Sequence, residues 1–81
     1  MRIYDQERDT KVDKITIFLT VSEASTLHQG IEELMKDPKR NHKHVNSDDF
    51  KKELTVCIYD PTALEEYGFH ERAVRLIQED S

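Results

Sequence analysis

The feature that most constrains the fold of this chain is a strict alternation of side chains in two short segments. Residues 14–20 and 53–60 are rich in β-branched and aromatic residues, a composition typical of β-strands. Successive side chains of a strand point to opposite faces, because the side-chain period is two residues. One face of the two predicted strands is wholly apolar and predicts a core, formed by Ile15, Ile17, Leu19, Leu54, Val56 and Ile58.

The opposite face of these strands is chemically mixed and predicts a contact surface. By the same alternation it carries Thr16, Phe18, Thr55, Cys57 and Tyr59. Two amphipathic helices suffice to cover only one side of such a sheet, so this face is left to solvent or to a partner. Phe18 and Tyr59 are then either ordinary exposed aromatics or the anchors of an interface. A third alternative is that residues 3–4 or 61–68 fold across this face and cover it.

The stretch after residue 20 predicts a helix with a defined start and end. Thr20 and Glu23 have the spacing of a capping box, in which the two residues satisfy each other's backbone N–H groups. Asp37-Pro38 ends the helix, because the residue before a proline is pushed out of the α region. Gly30 costs about 1 kcal/mol relative to Ala inside a helix, and a close approach of the helix to the sheet would explain a glycine there. The apolar stripe consists of Ala24, Leu27, Ile31, Leu34 and Met35.

Residues 42–47 and 51–60 predict an antiparallel hairpin. Asp48 and Asp49 supply the turn between them. With a four-residue loop, Ser47 pairs with Lys52, and residue 42 then lies opposite residue 57; a slip of two residues gives the alternative registers.

The chain after the hairpin predicts a short helical turn and a second helix. Asp60-Pro61 stops the strand and caps a turn over residues 62–67, which Gly68 breaks. Residues 69–79 form the second helix, with Phe69, Ala73, Leu76 and Ile77 as its apolar stripe.

The resulting order, β-α-β-β-α, predicts an α+β fold in one small domain of residues 1–81. The expected architecture is a two-layer sandwich, in which two helices cover one face of a mostly antiparallel three-stranded sheet. Residues 1–11 are a flexible tail or a short edge strand, which would add a fourth strand. A domain of 81 residues buries only about 60% of its unfolded surface, so self-association is an ordinary way to gain burial.

Composition narrows the class of protein. The single cysteine excludes an internal disulfide and favours a reduced, cytoplasmic protein. There is no signal-peptide core and no run near the roughly 18 apolar residues of a membrane helix, so no membrane association is expected. The net charge of −5 argues against nucleic-acid binding. The counter-evidence is a basic stretch within residues 36–52, which contains Lys36, Lys39, Arg40, Lys43, Lys51 and Lys52.

Two groups of residues have the side chains needed for metal binding or for nucleophilic catalysis. His42, His44 and Cys57 fall on the mixed face, and two imidazoles with a thiolate are zinc-type ligands, although a stable site usually needs four. His42 with Cys57 also resembles a base and its nucleophile, but no orienting third residue is recognisable. We therefore predict no enzymatic activity and no cofactor, with zinc binding as an alternative.

The function predicted from these observations is protein–protein contact through the mixed face of the sheet. The partner is a second copy of the chain, or a basic protein that this chain sequesters as an inhibitor. Steering towards a basic partner comes from the acidic residues Glu65, Glu66, Glu71, Glu79 and Asp80. The alternatives are a zinc protein and a weak nucleic-acid binder that uses residues 36–52.

Overall fold

The computed structural model describes residues 1–40 and 42–79, which form two compact units. The first unit comprises Met1–Ile17 and the chain from Phe69 onward, and the second comprises Phe18–Gly68. Two helices and two antiparallel two-stranded sheets confirm the predicted α+β class. The elements are β1 (Tyr4–Asp5), β2 (Thr10–Lys11), α1 (Val21–Lys36), a 3₁₀ helix (Pro38–Arg40), β3 (His42–Asn46), β4 (Glu53–Cys57), a second 3₁₀ helix (Leu64–Tyr67) and α2 (Glu71–Glu79).

The predicted three-stranded sheet is not formed. Within residues 1–40 and 42–79, β1 pairs with β2 alone, β3 pairs with β4 alone, and residues 14–20 belong to neither sheet. Ile15, Ile17 and Leu19, which were expected in the core, are exposed. The physical reason is that β-propensity reports how well a side chain fits a half-buried pleated surface, and a segment without a neighbouring edge has no such surface.

The first unit contains an N-terminal hairpin that the sequence left open as a tail or an edge strand. Tyr4 lies opposite Lys11 and Asp5 opposite Thr10, so β1 pairs with β2 instead of joining the main sheet. The carboxylate of Asp5 holds the turn, because its Oδ1 accepts hydrogen bonds from the backbone N–H groups of residues 7 and 8 at 3.0 and 3.2 Å.

Helix α2 belongs to the same unit and begins at Glu71, two residues later than predicted. The ring nitrogen Nδ1 of His70 accepts a hydrogen bond from the N–H of Ala73 at 3.3 Å, which caps the first turn. Near the other end of the helix, Arg2 Nε donates to the carbonyl of Ile77 at 2.9 Å. This last bond ties the N-terminus of the chain to α2.

Helix α1 begins and ends where the sequence predicts. The capping box is complete: Thr20 Oγ1 accepts from the N–H of Glu23 at 3.1 Å, and Glu23 Oε1 accepts from the N–H of Thr20 at 2.8 Å. The helix ends at Lys36, immediately before Asp37-Pro38.

The core of the second unit lies where α1 packs on β3. Its buried side chains come from α1, β3 and the second 3₁₀ helix, and they are Leu34, Val45, Leu64 and Tyr67. At Gly30, where a close approach to the sheet would have explained the glycine, an added Cβ would lie 3.5 Å from Lys43 Cβ on β3, which is an ordinary van der Waals distance.

Strand β4 is shorter than predicted and ends at Cys57 instead of residue 60. Asp60 then forms a turn, because its Oδ1 accepts hydrogen bonds from the N–H and the hydroxyl of Thr62 at 2.9 and 2.7 Å. Gly68 ends the second 3₁₀ helix with a left-handed φ of 69°, a conformation that glycine adopts without steric cost.

Candidate interaction surface

The β3–β4 hairpin has the register expected from its turn. His42 lies opposite Cys57, and the N–H of Ser47 donates to the carbonyl of Lys52 at 2.9 Å. The alternative registers, slipped by two residues, are therefore excluded. One face of the hairpin carries Val45 and Leu54 towards the core, and the other carries His42, His44, Asn46, Glu53, Thr55 and Cys57.

Side chains of the turn itself hold this register. Asp49 Oδ1 accepts hydrogen bonds from the Ser47 hydroxyl at 2.6 Å and from the N–H of Lys51 at 3.0 Å. These bonds favour the charged carboxylate and keep the pKa of Asp49 below its usual value. The Ser47 hydroxyl oxygen also accepts from the N–H of Lys52 at 3.0 Å, so the loop is closed from both sides.

The outer face of the hairpin is a polar network. His44 Nδ1 lies 2.7 Å from Glu53 Oε1 and 2.9 Å from the hydroxyl of Thr55. The rings of His42 and His44 meet edge to face, with their centroids 4.6 Å apart. Because the imidazole of His44 is held by a carboxylate and a hydroxyl, this face presents polar hydrogen-bonding groups at its centre.

The three residues of the zinc hypothesis share this face of the hairpin. His42 is paired with Cys57, and His44 is its neighbour two residues along the strand. Within the part of the chain that the structure describes, no three His, Cys, Asp or Glu side chains are placed to hold one metal ion. Zinc binding by His42, His44 and Cys57 stays a prediction.

Cys57 is exposed, yet the atoms around its sulfur desolvate the thiol. This desolvation raises the pKa of Cys57 and favours the neutral thiol over the thiolate. A nucleophile or a zinc ligand has to be the thiolate, so this environment disfavours both reactions at neutral pH.

The five residues of the predicted interface do not lie on one continuous sheet. Thr16 belongs to the first unit and the other four to the second. Thr55 and Cys57 are on β4, whereas Tyr59 follows the end of that strand and is half-buried. Phe18 is exposed, with 91% of its surface open to solvent.

Four of the exposed large apolar side chains lie within residues 14–20, which we call the apolar segment. Phe18 is accompanied by Ile15, Ile17 and Leu19, whose exposed fractions are 54%, 47% and 40%. None of its residues belongs to a helix, strand, turn or bend, and Thr20 at its end has the extended angles φ −72° and ψ 165°. Among the described residues, none forms a hydrogen bond with the backbone of residues 14–19.

The charged stretches predicted to attract partners are partly neutralised within the chain. Lys39 Nζ lies 3.4 Å from Glu66 Oε2, and Lys43 Nζ lies 2.6 Å from Glu33 Oε2. Of the other acidic residues expected to steer a basic partner, Glu65 and Glu71 are exposed and Glu79 is 3.7 Å from Arg75. Asp80 lies outside the described residues. The side chain of Arg40 likewise lies outside the described part of the structure.

A polar cluster in the first unit was not anticipated from the sequence. Asp9 accepts hydrogen bonds from the hydroxyl of Tyr4 and from Arg72, and the Arg72 guanidinium lies 5.9 Å from the Tyr4 ring centre. The cluster borders an open cavity of about 310 Å³, whose other lining residues include Lys11 and Arg75. The partners are far apart in the sequence and belong to no motif, so no sequence signal pointed to them.

Comparison with known proteins identifies no relative. No protein-family model, curated protein or solved structure matches this chain. Neither helix within residues 1–40 and 42–79 has the length and apolar character needed to cross a membrane. The case for a function therefore depends on the surfaces described above.

Proposed function

We propose that this protein has no enzymatic activity and acts in the cytoplasm by protein–protein contact. The observation that carries this proposal is the apolar segment, where four large apolar side chains are exposed within five consecutive residues. Single exposed apolar residues are ordinary, but a contiguous group of them marks an interaction site. The single cysteine and the absence of any disulfide in the chain support a reduced compartment.

Two surfaces of different character support the contact. Phe18 and its apolar neighbours supply area that becomes favourable when it is removed from water. Thr55 and Cys57, with the half-buried Tyr59, supply a more polar surface on and after β4. Aromatic residues such as Phe18 and Tyr59 are enriched in interface cores.

The proposal predicts that Phe18 matters for contact and not for folding. We expect Phe18→Glu to change the free energy of unfolding by less than about 0.5 kcal/mol, because the side chain is already exposed. The matched control is Val21→Glu, which places the same charge at a side chain that is 89% exposed and lies outside the segment. Urea denaturation followed by circular dichroism measures both variants.

Binding is then compared between the two folded variants. With each protein immobilised as bait, a partner captured by the wild type should be retained by Val21→Glu and lost by Phe18→Glu. If Phe18→Glu unfolds the protein, the segment is part of a core and the proposal is wrong.

A further inference from the structure

We infer that the apolar segment pairs with the same segment of a second copy, as two antiparallel β-strands related by a two-fold axis at Ile17. This inference rests on the proposed function, because it names the partner that the exposed segment binds. The chain would then be a symmetric dimer, the commonest form of homo-oligomer.

The backbone of the segment is ready for such pairing. It is rich in β-formers, it belongs to no helix, strand, turn or bend, and its N–H and C=O groups at residues 14–19 have no partner among the described residues. An unpaired extended backbone is a template for another strand. The N–H of Thr20 is already satisfied by Glu23 at 2.8 Å, so the pairing would end where α1 begins.

Self-complementarity of the side chains favours a second copy over another partner. In an antiparallel pair, directly opposed residues share a face, so a register with Ile17 opposite itself places Ile15 opposite Leu19. All three apolar side chains of both copies then lie on one face, and Phe18 lies opposite Thr16 on the other. A register shifted by one residue would mix the two faces.

Charge also favours this arrangement. Residues 15–22 carry no charged side chain, so the segment has nothing with which to recognise a basic partner. In the antiparallel register Lys14 lies opposite Thr20 of the other copy, and the two lysines stand at opposite ends of the pair. A parallel, in-register pair would instead place Lys14 against Lys14, and like charges directly opposite are destabilising.

Disulfide trapping tests the register directly. In a Cys57→Ser background, Ile17→Cys should form a disulfide-linked dimer under mild oxidation, because opposed Cα atoms about 4.5–5.5 Å apart suit a disulfide. The matched control is Thr16→Cys, whose counterpart in the second copy is a diagonal neighbour about 7–8 Å away. We expect the first variant to cross-link at least about tenfold faster than the second.

Charged substitutions at Ile17, on the two-fold axis of the dimer, test the pairing independently through the dimer dissociation constant. Ile17→Glu and Ile17→Lys should each raise the dimer dissociation constant at least about tenfold. In either homodimer, residue 17 of one copy lies opposite residue 17 of the other, so two like charges face each other. An equimolar mixture of the two should form a heterodimer. Light scattering gives the masses, and circular dichroism confirms that each variant is folded.

Each outcome decides the inference. A wild type that is monomeric at all concentrations overturns it, as do equal cross-linking rates for the two cysteine variants or a dimer that neither variant cross-links. If Ile17→Glu or Ile17→Lys unfolds, the disulfide experiment with Ile17→Cys still decides. A folded wild-type monomer overturns only the choice of partner, whereas the proposed function fails if Phe18→Glu unfolds the chain.

Discussion

At the scale of single residues, Glu23 joins the start of α1 to the turn of the β3–β4 hairpin. One carboxylate oxygen accepts from the N–H of Thr20, and the other accepts from the N–H of Asp48 at 2.7 Å. These backbone hydrogen bonds lower the pKa of Glu23. Because its pKa is lower in the folded state than in the unfolded state, its contribution to stability is full above the unfolded pKa and is lost as the pH falls through the folded pKa.

We therefore expect Glu23→Gln to be less stable than the wild type at neutral pH. The difference should begin to shrink near the unfolded pKa of about 4.3, where the unfolded chain takes up a proton, and should vanish as the pH falls through the lower pKa of the folded state. Asp49 and Asp60 have lowered pKa values as well, so the variant keeps part of the acid sensitivity.

Melting temperatures measured from pH 7 to pH 3 test this expectation. The exposed Glu32 on the same helix supplies the control Glu32→Gln, which removes an equal charge. A Glu23→Gln variant with the wild-type melting temperature at pH 7 would contradict the role assigned to this carboxylate.

Two glycines of the second unit should respond oppositely to alanine. At Gly30 a new Cβ meets only the flexible stem of Lys43, at 3.5 and 3.7 Å, which is ordinary van der Waals contact. Gly30→Ala should therefore stabilise the protein by about 1 kcal/mol through helix propensity. Gly68 has a φ of 69°, so Gly68→Ala should destabilise it by about 1 kcal/mol. Urea denaturation measures both changes, and a loss of stability at Gly30→Ala would mean that close packing requires the glycine.

At the scale of elements, the hairpin and the apolar segment show what a strand needs. β3 has one strongly apolar residue, Val45, yet it is a strand because the turn at Ser47 delivers β4 as its neighbour. The apolar segment has the stronger β composition but no neighbouring edge. A hydrogen-bonded neighbour, and not composition alone, decides which of the two is a strand.

Two adjacent apolar residues of helix α1 differ sharply in burial. Leu34 is 1% exposed in the core and Met35 beside it is 69% exposed. We expect Leu34→Ala to destabilise the protein by about 2–5 kcal/mol, because it leaves a cavity. Met35→Ala, the neighbouring control, should change stability by less than about 0.5 kcal/mol. Thermal unfolding of the two variants measures the contrast, and equal losses would place Met35 in a core as well.

At the scale of the whole molecule, local features were predictable and long-range ones were not. The capping box of Thr20 and Glu23, the end of α1 before Pro38 and the hairpin register through Ser47 are all confirmed. Each depends on residues close together in the chain. The cluster of Tyr4, Asp9 and Arg72 escaped notice because its members are joined only by folding.

The candidate interaction surface was likewise predictable in part. The alternation of Thr16 and Phe18 with their apolar neighbours was readable, and so was the shared face of His42, His44 and Cys57. Whether Ile15, Ile17 and Leu19 would be a core or a surface was not readable, because the same pattern serves either purpose.

The amino-acid sequence alone settled the α+β class, the limits of α1 and the pairing of β3 with β4, since helix caps, proline and turn side chains act within a few residues of each other. Only the tertiary structure decided that residues 14–20 remain outside both sheets. A strand is stabilised by hydrogen bonds to a neighbour that is distant in sequence, and no property of the segment itself specifies where that neighbour lies.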